Sequence, residues 1–452
     1  MKVSTFEDDL LGLKGFAERL ERFIAIEHQY VEGGLVIGLS SKFGSGKSSF
    51  LQMWTSSLKS AEENADKPLV ILLNAWESDY YGDPLFAIIS ALIDCIKKEG
   101  KSPEKLINAA KDIGWFATAI GGQVVKKVTG IDAVAAGELA DKKKKKRDDN
   151  LSILPDTFSI YEGRKNAMAS LKAAVQEFVE GEKPRVLFLV DELDRCRPDY
   201  AITYLETIKH IFDVKGAVFL LAADRKHLEN SARTAFGADL DFEEYYRKFV
   251  HREVTLPDVS DENYANLATE YVNYYLEREG SRNCFMNLER SRIENISELV
   301  GALKLTPRQI QEVFRTLGHL FETTEEKKGR LLWCYAVGSI MLSAMKIGSP
   351  KIFHLLGTKQ LQPKDAFNFF KDKLKDRYFD WWFILCLTGG GLKVEENEKY
   401  EDVMRNVGLL NEHDEFNQSR ELGQWFSGWG HSSSGNKFAQ IYEKIEQLYQ
   451  WN

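Results

Sequence analysis

The sequence predicts an α/β chain in which a parallel sheet flanked by helices comes first and all-helical segments follow. Three observations predict it. Leu35–Leu39, Pro68–Trp76, Arg185–Asp194 and Ala217–Arg225 are apolar runs with polar ends, the form of strands buried on both faces of a parallel sheet. Stretches with apolar residues at helical spacing, such as Leu85–Lys98, lie among them. From Asp258 the period is helical throughout.

Composition bounds the rest. At 452 residues the chain has room for two or three domains, and 44% hydrophobic with 28% charged residues is ordinary for a globular protein. The formal charge of −8 leaves nucleic-acid contact only as a local patch. Five cysteines are scattered without CxxC spacing, and the eight histidines form no ligand pattern with them. Neither zinc nor disulfides are expected, and a reducing cytoplasm is the expected compartment. The start, MKVSTFEDDLLG, lacks the apolar region of a signal peptide. The longest uncharged apolar stretch, between Arg330 and Lys346, falls short of the about 18 residues that span a bilayer.

Asp8–Glu27 reads as an amphipathic helix, with Leu10, Leu13, Phe16, Leu20, Phe23 and Ile24 on one face, either packed on the sheet or walling a bound base. The decisive stretch follows, GLVIGLSSKFGSGKSSF over Gly34–Phe50. An apolar strand runs into the small-residue loop Ser40–Gly46. Lys47-Ser48-Ser49 then opens a helix with Phe50, Leu51, Trp54 and Leu58 at helical spacing. Strand, glycine-rich loop, Lys-Ser and helix in this order are the parts of a phosphate-binding P-loop (Walker A). Phe43, Gly44, Ser45, Gly46, Lys47, Ser48 and Ser49 are the expected nucleotide-binding residues. Backbone N–H groups and the helix N-terminus would face the phosphates, Lys47 would reach them as a point charge, and the Ser48 hydroxyl would sit on Mg²⁺. The first glycine of the usual pattern is here Ser41.

Pro68–Trp76 ends in the polar groups Asn74-Ala75-Trp76-Glu77, at a strand's carboxyl end, where ligands of α/β sheets sit. RVLFLVDELD over Arg185–Asp194 ends in paired acids (Walker B), expected at the tip of a strand beside the P-loop strand. There Asp191 would hold the hydration shell of Mg²⁺ and Glu192 would polarise the attacking water. Arg195 follows in Asp194-Arg195-Cys196-Arg197, read evenly as a structural ion pair or as a guanidinium for phosphoryl-transfer charge, an effect of about 10³–10⁵ in rate. Asp224, at the tip of Ala217–Arg225, is read as positioning the lytic water or as capping the next helix. Glu253–Pro257 is a fifth, edge strand. Thr306-Pro307-Arg308 opens a helix, with Arg308 at a place from which a lid arginine reaches phosphates or merely faces solvent.

Gly100–Asn150 interrupts the α/β pattern with a weak helical stretch and then Lys142–Lys146 plus Arg147. Its functional reading is an arm for a membrane surface, nucleic acid or a partner; the plainer one, a solvated charged loop, is favoured. After Asp258, Tyr264, Leu267, Tyr271 and Tyr275 make a stripe read as core. Gly329–His354 and Lys364–Leu387 read as helices, Gly389-Gly390-Gly391 as a break, and Phe438 to Tyr449 as a last amphipathic helix.

In combination, Asp9-Leu10-Leu11-Gly12, Phe43–Ser48, Asn74-Ala75-Trp76, Asp191-Glu192-Leu193-Asp194-Arg195-Cys196, Ala223-Asp224-Arg225, Tyr246-Arg247-Lys248 and Thr306-Pro307-Arg308 resemble the KAP family of P-loop NTPases. This is a branch of the additional-strand ATPases near the STAND and AAA+ groups. The resemblance covers about three quarters of the chain and implies an ATP-binding core with an insertion before the acidic strand. In many members that insertion carries membrane spans; residues 100–150 are too short and polar for that. Glu192 stands where many members have Asp, which favours hydrolysis. Bacterial members that this chain resembles are associated with phage exclusion, which implies antiviral defence by analogy alone.

The expected organisation is a P-loop NTPase core over 1–257 with the insertion 100–150, a helical lid over 258–325 and a helical C-terminal domain over 326–452. The expected function is an ATP-hydrolysing, Mg²⁺-dependent switch with Lys47, Ser48, Asp191 and Glu192 at its centre. No Asn-Lys-x-Asp string supports guanine specificity. The rivals are a non-hydrolysing, ATP-gated scaffold and a nucleic-acid-stimulated ATPase using Lys142–Arg147. The expected partners are a second copy or another protein on the helical half. The expected location is cytoplasmic, with contact at most peripheral to a membrane.

Overall fold

The computed structural model describes residues 4–41, 46–60, 68–120, 157–278, 288–322, 332–374, 378–411, 413, 416–430 and 436–448. Phe43, Gly44 and Ser45 of the P-loop, the basic run Lys142–Arg147, Cys284 and the polar loop 432–435 lie outside them. The chain forms two compact units. Lys2–Asp9 and Leu13–Asp258 make the first; Leu10–Gly12 and Val259–Asn452 make the second.

The first unit is built on five parallel strands: β1 (Leu35–Ser40), β2 (Leu69–Asn74), β3 (Val186–Asp191), β4 (Ala217–Ala223) and β5 (Arg252–Thr255), in the order β2-β3-β4-β1-β5. The three inner strands are buried almost end to end, as their unbroken apolar sequences require. β5 is short, largely exposed and carries Arg252 and Glu253, which blunt that edge. The expectation that the acidic strand lies beside the P-loop strand is corrected: β1 pairs with β4 and β5, and β4 stands between β1 and β3. Periodicity identifies a strand but not its neighbour, because β1, β3 and β4 offer equally apolar faces. The expected edge strand starts one residue earlier and ends two earlier than read, Arg252–Thr255 instead of Glu253–Pro257.

Helices cover the sheet: α1 (Lys14–Glu27), α2 (Lys47–Ser60), α3 (Ala75–Asp79), α4 (Pro84–Lys98), α5 (Glu104–Ile120), α6 (Thr157–Val179), α7 (Pro198–Ile211), α8 (Arg225–Phe236) and α9 (Phe242–Arg247). α1 starts at Lys14, not at Asp8. Gly12 turns the chain at φ +69°, and the Asp9 carboxylate accepts from the N–H groups of Leu13 and Lys14, an N-terminal cap that fixes the start there. Phe16 then packs on Phe50 of α2 (centroids 5.3 Å apart), and Trp54 donates its indole N–H to Glu21 at 2.8 Å, so α1 is packed on the P-loop helix. α6 escaped the sequence reading because its buried stripe includes Ala167 and Ala174 beside Leu171, Val175 and Val179, a faint hydropathy signal. Beneath the sheet, Phe188 of β3 stacks on Phe219 of β4 at 4.3 Å, with Phe212 edge-on to both.

The second unit is built of helices, with one isolated parallel bridge between Leu361 and Leu392. It opens with α10 (Asp261–Glu277), α11 (Arg290–Ala302), α12 (Pro307–Glu322) and α13 (Trp333–Gly348) and runs through shorter helices to Lys437–Gln447. Leu267, Tyr271 and Tyr275 of α10 are buried in its core, with Tyr275 stacked on Phe314 of α12. α13 is buried from Cys334 to Met345, which accounts for its apolar sequence. No helix among the described residues is long and apolar enough to cross a membrane.

Candidate active site

Parallel register brings the strand ends into one row. Asn74 is level with Asp191, Asp191 with Ala222, and Ser40 with both Ala223 and Thr255. The polar tips of β1 to β4 therefore share the carboxyl edge of the sheet, where backbone groups and helix N-termini can meet a ligand.

The P-loop strand and helix follow from two glycines. A Cβ on Gly38 would lie 2.6 Å from the Tyr246 hydroxyl, so β1 can pack against α9 only without a side chain there. Gly46 sits at φ +96°, a left-handed turn that suits glycine, and its carbonyl accepts from Phe50 N–H at 2.8 Å to open α2. Lys47, Ser48 and Ser49 occupy the first turn of α2. Lys47 Nζ donates to the Ser41 carbonyl at 2.8 Å, across the mouth of the loop. Ser41 itself has no positive φ, so the missing glycine is not required for its backbone.

Ser48 stands beside the acidic tip, its hydroxyl near enough to the Asp191 carboxylate to favour the ionised form. Burial, with Glu192 and Asp194 beside it, pushes the Asp191 carboxyl above the usual carboxylate range, against the lowering effect of the Ser48 hydroxyl. A hydroxyl and a carboxylate that burial makes costly to ionise are hard oxygen donors suited to a small divalent cation, whose charge would offset that cost.

Glu192 is held from several sides. It stands at φ +61°, in the left-handed region a glutamate seldom occupies. Its N–H donates to Asp191 Oδ1 at 2.9 Å, and its carbonyl accepts from Arg195 N–H at 3.1 Å. Its carboxylate accepts from Asn74 Nδ2 at 3.2 Å and pairs with Arg195 Nη1 at 2.9 Å. The Arg195 guanidinium also lies 5.6 Å from the centre of the Trp76 ring. Of the two readings of Arg195, the ion pair is the one formed here. Asp194 ties the tips of β3 and β4 together by accepting from Asp224 N–H at 3.0 Å. Asp224 caps α8, its carboxylate accepting from Lys226 N–H at 3.0 Å.

Arg308 belongs to the helical unit. It is exposed in the first turn of α12, after a reciprocal cap in which Thr306 N–H donates to Gln309 Oε1 at 2.8 Å and Gln309 N–H to Thr306 Oγ1 at 3.3 Å. Sequence reasoning did not place Asn74 on Glu192, nor Asp79 on Arg197. Asp79 is buried at the end of α3 and accepts from Arg197 N–H and Nε, both at 2.9 Å. The first contact joins residues 118 positions apart and had no local signal. The i,i+3 spacing of Glu192 and Arg195 on the 3-10 turn Leu193–Arg195 was a signal that could have been read.

The sequence model described as the KAP family P-loop domain matches residues 14–323. The chain belongs to the KAP family. With Gly46, Lys47 and Ser48 on one side and Asp191 and Glu192 on the other, this KAP domain has the nucleotide-binding core of a P-loop NTPase. No curated protein sequence matches the chain. Two solved structures of the ORC2 protein of Aeropyrum pernix, as ADPNP–ADP complexes and in the ADP form, are similar at 13% and 12% identity. They cover 96% and 97% of this chain and 95% of each of theirs, with TM-scores of 0.37 and 0.35.

Proposed function

We propose that this KAP domain binds and hydrolyses ATP and works as a nucleotide-dependent switch. The observation that carries the reading is that the first turn of α2, with Lys47 and Ser48, and the Asp191-Glu192 tip of β3 lie together at the carboxyl edge of the sheet. Lys47 exchanges the Ser41 carbonyl for phosphate oxygens. Ser48 and Asp191 would hold Mg²⁺, which supplies neutralising charge to the phosphates. Glu192 accepts a proton from the attacking water, for which its carboxylate must first lose the hold of Arg195 or Asn74. Arg195, once parted from Glu192, would turn towards developing phosphate charge. Asp224, next to Asp194, would orient the lytic water with its remaining oxygen. Arg308 is a candidate to contribute charge from the helical unit, and that unit is the proposed output towards a second copy or another protein.

A second reading, an ATP-gated scaffold without turnover, draws on one observation: both oxygens of the Glu192 carboxylate are engaged, one by Asn74 and one by Arg195. Nucleotide binding by Lys47→Ala separates the site assignment from both readings. Titration with a fluorescent ATP analogue is expected to show a loss of affinity of at least about tenfold, the order expected for removing a buried charge-assisted contact. Unchanged affinity would overturn the site.

A further inference from the structure

We propose that the cleft beside Glu192 is a recognition site for an arginine side chain carried by a protein partner. The cleft, of about 750 Å³, is lined by Asn74, Trp76, Glu77, Tyr80, Tyr81 and Glu192, and the Asp79–Arg197 pair also borders it. Its aromatic residues are unusually open: Trp76 is 53% exposed, Tyr80 81% and Tyr81 48%. They cluster on α3 and the turn after it, and the Tyr80 and Tyr81 rings stand at 84° with centroids 5.5 Å apart. The rings meet edge to face, and Tyr80, exposed at 81%, keeps ring face open to a cation.

The charges decide the class of occupant. The two guanidiniums at this cleft are already paired, Arg197 with Asp79 and Arg195 with Glu192. Glu77 is the lining acid whose carboxylate has no ion pair among the described residues. The cleft therefore has one carboxylate in excess. A polyanion would meet neutralised arginines and repulsion from Glu77, whereas a guanidinium can stack on tyrosine or tryptophan and bond a carboxylate with its planar fork. Arg195 over Trp76 is an example of that stacking already in place at the cleft.

The site is linked to the catalytic tip through Asn74. Asn74 Oδ1 accepts from Glu77 N–H at 3.1 Å, while its Nδ2 donates to Glu192. An arginine drawn to Glu77 acts on the residue that holds Glu192, so occupancy is expected to change turnover as well as to bind. The turnover effect rests on the hydrolytic reading above. Binding does not, and it can be measured without nucleotide.

Isothermal titration of the full chain with a short peptide carrying two arginines tests the site, with the same peptide bearing neutral citrulline in their place as control. Saturable binding of the arginine peptide alone is expected. Tyr80→Ala and Glu77→Gln should each weaken it about threefold, and Tyr80→Phe should leave it intact, since the ring face is kept. Tyr80 and Glu77 are exposed, so these variants keep the fold. Equal binding of the citrulline peptide, affinity indifferent to Tyr80→Ala and Glu77→Gln, or no saturation at millimolar peptide would overturn the proposal. So would binding of a twelve-nucleotide oligo(dT) that these two variants abolish.

Discussion

Glu192 shows what the site demands of one residue. A glutamate in the left-handed region costs about 1–3 kcal/mol, and its two side-chain partners keep it there. Glu192→Gly and Glu192→Gln both remove the ion pair, but only glycine relieves the backbone. Glu192→Gly is expected to be the more stable of the two by about 1 kcal/mol in urea unfolding, after glycine's own entropy cost. Equal midpoints would remove the strain from the account. Asp191 carries a similar cost in its charge. Its carboxyl is raised by burial, so the folded state holds that proton more tightly than the unfolded chain. The stability this gives is present in acid and lost as pH rises through the folded value. Asp191→Asn should therefore raise the melting temperature of the nucleotide-free protein at pH 7.5 while abolishing Mg²⁺-dependent turnover. A lower melting temperature would contradict the reading. Two histidines act in the opposite sense. His28 Nε2 accepts from Gly216 N–H and His251 Nδ1 from Val36 N–H, both at 3.0 Å, so both bind as neutral rings. Burial lowers both, helped by Lys215 at His28 and Lys209 at His251, while Glu182 and Asp213 respectively oppose it. The unfolded chain thus binds more protons, and the stability they confer is present above about pH 6.5 and lost as pH falls towards the folded values. The urea midpoint should fall between pH 7.5 and 5.5, and by less in a His28→Gln, His251→Gln variant; an equal fall in both proteins would refute the assignment.

At the scale of elements, the sheet is organised around β3 and β4. Phe188 and Phe219 are fully buried and stacked, so Phe188→Ala should cost about 3–5 kcal/mol in urea unfolding; a loss below about 1 kcal/mol would mean that this layer is not the core. The strands were legible because inner strands of a parallel sheet are apolar without interruption, and each run in the sequence marks one. Their order was not legible, since β4 inserts between β1 and β3 through backbone pairing that any apolar strand can make. Element ends were missed where a side chain sets them: capped by Asp9, α1 starts six residues later than the apolar pattern suggests. In the site, Gly46, Lys47, Ser48 and the Asp191-Glu192 tip were legible because phosphate chemistry requires those types in that order. The hold of Asn74 and Arg195 on Glu192 was not, because it depends on β2 lying next to β3 and on a left-handed turn.

At the scale of the whole molecule, a KAP P-loop domain spans residues 14–323, and the helical unit extends from Val259 to Asn452. The net charge of −8 and the carboxylate excess at the cleft are both unfavourable to a polyanion there. Added DNA is accordingly expected to leave turnover unchanged at low salt. Stimulation that falls steeply with salt would instead point to the basic run Lys142–Arg147. Whether Glu192 makes this domain a hydrolase, as proposed, is decided by its turnover. Steady-state ATP hydrolysis by the full chain and by Glu192→Gln, over a range of protein concentrations, tests it most directly. Turnover is expected in the native chain, with a loss of about 10²–10⁴ in the variant and ATP binding retained. Equal turnover in the two proteins, or ATP bound without turnover in either, would contradict it.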